Sequence, residues 1–239
     1  MIKIAHESPK SIFNEVQKYT DYDYALVHLF EEDQEYFNQF KEAIKNGREV
    51  ILDNSIFELE EAFDADKFIH WVNELRAEWY IVPDALEDTK KTMSQMADWN
   101  LRYADVAYGK KIGVVQGKTY EQIKSCYEYM DKFADVDMIA ISFDYSYYTE
   151  TISDKPHHLL GCGLPQEFSF YSDYNWIYSL DTSNPVVHGR KGIGYNSDGL
   201  WNKESQKLHE LMNYQVEDTN LILNNIHKFR WFANGKKEV

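Results

Sequence analysis

Continuous apolar runs alternate along the chain with stretches that are apolar on one side only. The runs are Ile2–Ala5, Tyr24–Phe30, Glu49–Asp53, Glu78–Asp84, Lys110–Gly117, Asp137–Ser142, His158–Gly163 and Trp176–Asp181. Runs of this length between turn signals read as buried strands. Helical spacing fills the gaps. Ile12, Phe13, Val16 and Tyr19 share one face, and an amphipathic stretch reaches Lys45 before Asn46-Gly47 stops it. Phe68, Ile69, Val72 and Leu75 line one side of 64–76, and 88–103 and 120–133 behave alike. A Tyr- and Thr-rich loop follows the sixth run, and Pro165 opens a short helix after the seventh. Eight strand–helix units in strict alternation predict an α/β fold, a (β/α)8 TIM-type barrel. The expected organisation is one domain over 1–239, with the barrel to about residue 200. Apolar positions from Leu208 to Phe229 predict C-terminal helices over about 202–233, one long or two short.

Several runs end on a residue with chemistry: Asp53, Asp84, Gln116, Ser142, Gly161 and Asp181. Strand exits of such a barrel share one mouth, so these residues are read as one site. Three carboxylates there have two uses. They can hold a divalent metal, with His6, Glu7 and His28 as further ligands. Or they can divide nucleophilic and acid/base work at a glycosidic carbon. The second use suits Asp53-Asn-Ser-Ile-Phe57, which puts a ring just past a carboxylate, and Gln116, whose amide pairs a donor with an acceptor. Each feature also has a plainer reading. An Asp at a strand exit caps the next helix, and Phe57 can be core; the recurrence favours the functional reading. Pro185, four residues after Asp181, is taken as incompatible with a helix, and the Gly-rich stretch 187–199 as an irregular loop. There His188, Arg190 and Lys191 would meet phosphate or nucleic acid, or the stretch is a plain connection.

Composition narrows the function classes. A formal net charge of −15 argues against nonspecific nucleic-acid affinity through a basic surface. The cation- and aromatic-rich tail from Ile226 is either a local basic patch or a helix end whose cations complement its dipole. Two cysteines, Cys126 and Cys162, supply neither a disulfide framework nor a multi-cysteine zinc site, and are read as buried small apolar residues. With no signal-peptide pattern and no run approaching the roughly 18 apolar residues of a span, a soluble cytoplasmic protein without membrane contact is expected.

At the strand exits the sequence resembles the tRNA-guanine transglycosylase family, including its archaeal and phage branches that install 7-deazaguanines in DNA. Asp53-Asn-Ser-Ile-Phe57-Glu58 is similar to the family's D-S-G-G-F-Q, and Val114-Val-Gln116-Gly117 to its I-V-Q-G. Leu160-Gly-Cys-Gly-Leu-Pro165-Gln-Glu-Phe168 resembles M-G-V-G-T-P-x-x-L, and Leu180-Asp181-Thr-Ser-Asn-Pro185 resembles F-D-C-V-L-P. The resemblance implies Asp181 as nucleophile at the sugar anomeric carbon and Asp53 as general acid/base. It implies Phe57 as the stacking ring, and Asp84, Gln116, Gly117 and Ser142 as the base-binding set. It implies a nucleic acid and a free 7-deazaguanine as partners, no cofactor, and a possible homodimer. The family's C-x-C-x-x-C…H zinc motif is absent, Ser55 and Ile56 replace its paired glycines, and the chain is short. These departures point to the compact phage DNA branch, acting in host cytoplasm, with DNA favoured over tRNA. Two other functions stay open: an N-glycosidase or hydrolase acting on a free nucleotide or nucleoside, and a non-catalytic base-binding partner subunit.

Overall fold

The computed structural model describes residues 2–142, 153–163, 176–195, 214–216 and 218–234. Eight strands are described: β1 Lys3–His6, β2 Asp23–Leu26, β3 Val50–Asp53, β4 Trp79–Ile81, β5 Lys110–Val115, β6 Met138–Ser142, β7 His157–Leu160 and β8 Ile177–Thr182. They form one parallel sheet in the order β1-β8-β7-β6-β5-β4-β3-β2, the (β/α)8 TIM-type arrangement. The helices are α1 Phe13–Val16, α2 His28–Glu32, α3 Gln34–Lys45, α4 Ile56–Leu59, α5 Ala65–Leu75, α6 Thr89–Tyr103, α7 Tyr120–Lys132, α8 Asn184–Arg190 and a C-terminal α9, Thr219–Ala233. Where length and alternation suggested one domain, the contacts divide the chain into two compact units, Tyr24–His158 and Met1–Asp23 with Leu159–Val239.

In the Tyr24–His158 unit the strands are buried on both faces, as a parallel sheet between helices requires: Val50, Ile51 and Leu52 are sealed from solvent. The long helices lay one apolar face on them. Trp99 of α6 meets Phe68 of α5 and Tyr80 of β4, and Tyr36, Phe37 and Phe40 of α3 close on Phe30. Local signals start these helices where the sequence put them. Asp33, Asp64 and Asp88 each cap a helix, and Thr119 and Gln122 form a capping box on α7.

In the other unit, Ile12 just before α1, Val16 of α1, Val186 of α8, and Ile222 and Ile226 of α9 form one cluster. The approach of α9 to α8 is so close that a Cβ on Gly189 would lie 2.5 Å from Ile222 Cγ1 and 2.9 Å from its Cα. Arg230 of α9 binds Asp21 through both guanidinium nitrogens, each at 2.9 Å. This pair ties the last turn of α9 into its unit.

Two expectations are corrected. The run Tyr24–Phe30 is a strand only to Leu26; α2 begins at His28, because a short fully buried run carries no periodicity to separate strand from helix. Pro185 does not break a helix but opens one, at the first positions of α8, where its missing N–H has no intrahelical acceptor to lose. The stretch taken as loop is thus helical to Arg190. Of the C-terminal helices expected over about 202–233, α9 is seen from Thr219, and 214–216 are non-helical. The Tyr- and Thr-rich loop, the short helix at Pro165, Phe168 and residues 202–213 lie outside the described residues. No helix among the described residues is long and apolar enough to cross a membrane.

Candidate functional site

In the Tyr24–His158 unit, β3 delivers Asp53 to its carboxyl end, where the chain turns sharply. Ser55 takes the left-handed conformation, φ 63°, and its N–H donates to Asp53 Oδ1 at 2.6 Å. Tyr24 of β2 donates its hydroxyl to Asp53 Oδ2 at 2.7 Å. Both carboxylate oxygens therefore accept a hydrogen bond from a buried donor, an arrangement that fixes the plane of the group. The same turn lifts Phe57 outward, and it is 53% exposed. Phe57 is not core, and its ring is available for stacking just past Asp53.

Asn54, between Asp53 and Ser55, is sealed from solvent. Its Nδ2 donates to the Val82 carbonyl at 2.9 Å and to Asp84 Oδ1 at 2.7 Å, while its Oδ1 accepts the Ile56 N–H at 3.0 Å. Gln116, at the exit of β5, donates Nε2 to Asp84 Oδ2 at 2.7 Å and accepts the Glu87 N–H at 3.0 Å. Each amide is locked in orientation by a backbone partner, so Asp84 faces two fixed donors. Burial pushes the Asp84 carboxyl up to about 6, and the Asn54 and Gln116 hydrogen bonds oppose that rise. A carboxyl with this property changes charge near neutral pH and can both donate and accept there.

Two further candidates of this unit, Gly117 and Ser142, lie at the ends of β5 and β6. A Cβ on Gly117 would lie 2.9 Å from both Gln122 Cβ and the Ile123 nitrogen, so glycine is there to let α7 start against β5. Ser142 ends β6 half-buried. Cys126 is buried, as the sequence suggested, and burial pushes its thiol up to about 11.

In the other unit, β8 carries Asp181 to its end at 5% exposure. The Gly161 N–H donates across both of its carboxylate oxygens, at 3.1 and 3.2 Å, and the Cys162 N–H donates to its carbonyl at 3.0 Å. Gly161 has φ 61° and open space where a Cβ would stand. Cys162 is fully buried. The phosphate candidates are not gathered. His188 is 1% exposed with Nδ1 2.9 Å from the Asn184 carbonyl, so the expected nucleic-acid contact is corrected: it faces the packed side of α8. Arg190 lies over the Tyr214 ring at 4.7 Å, and Lys191 is exposed beyond the helix end.

The metal alternative gains no support: among the described residues no three His, Cys, Asp or Glu side chains converge to hold an ion. His6 instead packs edge-on against Phe229 at 5.5 Å. A scan against models of known protein families finds no match, and a search of curated proteins finds no significant relative.

Sequence reasoning missed Tyr24 and Asn54. An amide directly after the strand-end Asp53 was a usable signal for Asn54. Tyr24 had none, since its partner lies 29 residues away.

Proposed function

We propose that this protein exchanges guanine in a polynucleotide, DNA rather than tRNA, for a 7-deazaguanine base. The observation that carries the reading is the end of β8: a buried Asp181 carboxylate, held across both oxygens by one backbone N–H, beside a glycine that leaves open space. A nucleophile needs to be held in one orientation, which the Gly161 N–H supports, and the open space at Gly161 supports room for a sugar near it. The exposed Phe57 past a fixed Asp53 supports the reading, as does the ordered set of short resemblances to the transglycosylase family.

In the first displacement an Asp181 oxygen attacks the sugar anomeric carbon, the bond to guanine breaks, and Asp53 gives the leaving base a proton. In the second, Asp53 takes a proton from the incoming base, whose nitrogen attacks the same carbon and releases the Asp181 carboxylate. Charge and protons balance over the cycle, and no water is consumed. Asp84, able to donate or accept near neutral pH, and Gln116 would contact the base edge. DNA is preferred because the zinc motif associated with tRNA binding in the resembled family is absent.

Nucleoside mass spectrometry of DNA and of tRNA, each incubated with the protein and a panel of 7-deazaguanines, tests this. The expected result is a deazaguanosine in DNA, lost by about a thousandfold or more in Asp181→Asn. Exchange that survives Asp181→Asn overturns the mechanism, and no exchange in either polymer overturns the function.

A further inference from the structure

The sequence ties no role to Tyr24, yet its hydroxyl has settled on the carboxylate assigned to proton transfer. Tyr24 is 7% exposed, and its ring stacks on His158 of β7 at 5.8 Å and 18°. His158 is sealed from solvent, so the ring packs against a buried neighbour. The hydroxyl is thereby delivered 2.7 Å from Asp53 Oδ2, while the Ser55 N–H takes the other oxygen from a left-handed turn.

A neighbouring pair separates this role from ordinary packing. His157 precedes His158 on β7, so its side chain leaves the opposite face of the strand. There it stacks with Tyr127 of α7 at 5.7 Å and 18°. The Tyr127 hydroxyl lies 2.8 Å from His157 Nε2 and accepts the Ser153 N–H at 2.9 Å. Two tyrosine–histidine stacks of the same geometry thus flank one strand, one ending on a structural partner and the other on Asp53.

We propose that Tyr24 is a positioning residue, whose hydroxyl acts with the Ser55 N–H to hold the Asp53 carboxylate in a single orientation for proton transfer. The catalytic part rests on the base-exchange reading above; the grip on Asp53 does not.

The test compares Tyr24→Phe with Tyr127→Phe. Each loses one buried hydroxyl and keeps its ring. Two quantities are read: kcat and KM for base exchange, and the 13C resonance of the Asp53 side-chain carboxyl, assigned through Asp53→Asn. Tyr24→Phe is expected to lower kcat about ten- to a hundredfold with KM nearly unchanged, the loss of one hydrogen bond to a charged group. It is also expected to move the Asp53 carboxyl signal. Tyr127→Phe should change neither, whatever it costs in stability. The proposal is overturned if Tyr24→Phe leaves the Asp53 signal in place, or if Tyr127→Phe reproduces its kinetic effect. If the wild-type protein exchanges no base, the function proposed above fails, and the carboxyl signal still decides whether Tyr24 holds Asp53.

Discussion

Replacing Asp84 by Asn is expected to change stability by an amount that depends on pH, with a sign that can be worked from its two donors. Burial raises the Asp84 carboxyl from an ordinary value of 3.8 to about 6. Between those limits the folded protein holds a proton that the unfolded chain has released. Stability contributed by this group is therefore full below about pH 4 and falls as pH rises through 6. A difference of about 2 units corresponds to about 3 kcal/mol lost by pH 7. Asn does not titrate, so the variant lacks this slope. It has its own cost, because Asn54 Nδ2 and Gln116 Nε2 both point at position 84 and neither amide can turn. The Val82 carbonyl and Ile56 N–H fix Asn54, and the Glu87 N–H fixes Gln116. One donor must then face an amide NH2, costing about 1–3 kcal/mol at every pH. The variant should be clearly less stable than wild type at pH 4 and about equal to it, or more stable, at pH 7.5. Urea unfolding at a series of pH values measures this, with the buried Trp79 and Trp99 reporting on the unit that holds Asp84. Taking the difference between the two proteins cancels every other titrating group. A gap that stays constant from pH 4 to 7.5 would mean that burial does not raise the Asp84 carboxyl.

His6 gives the opposite slope. Its ring nitrogens have no hydrogen-bond partner among the described residues, and burial first, then the Arg230 charge, holds its pKa well below 6.5. Below about pH 6.5 the unfolded chain takes up a proton that the folded one refuses, so stability falls with pH. His6→Leu should flatten that fall, gaining more at pH 5 than at pH 7.5 in chemical unfolding; an equal gain at both is the contrary result. Gly117→Ala should destabilise by about 1–3 kcal/mol, because the added methyl meets the Ile123 nitrogen at 2.9 Å. A thermal melt unchanged from wild type would contradict this steric role of Gly117.

Much of this fold was written in local pattern. Runs such as Val50–Asp53 and Met138–Ser142 are apolar because both faces of a parallel strand are covered, and the amphipathic stretches between them begin at side-chain caps. The sequence therefore determined the alternation of elements, the (β/α)8 class and the placing of Asp53, Asp84 and Asp181 at strand exits. It left undecided whatever depends on a partner distant in sequence. Nothing in Tyr24–Phe30 shows where strand gives way to helix, since full burial erases periodicity. Nor does local pattern decide burial: His188, read as meeting phosphate or nucleic acid, is buried in α8, and Phe57, read as a stacking ring or as core, stands exposed. The tertiary structure alone decided that Tyr24 grips Asp53, that Asn54 and Gln116 present two fixed donors to Asp84, and that the Gly161 N–H spans Asp181. These are contacts between strands 20 to 32 residues apart, set by how parallel strands lie side by side, and no local pattern encodes them.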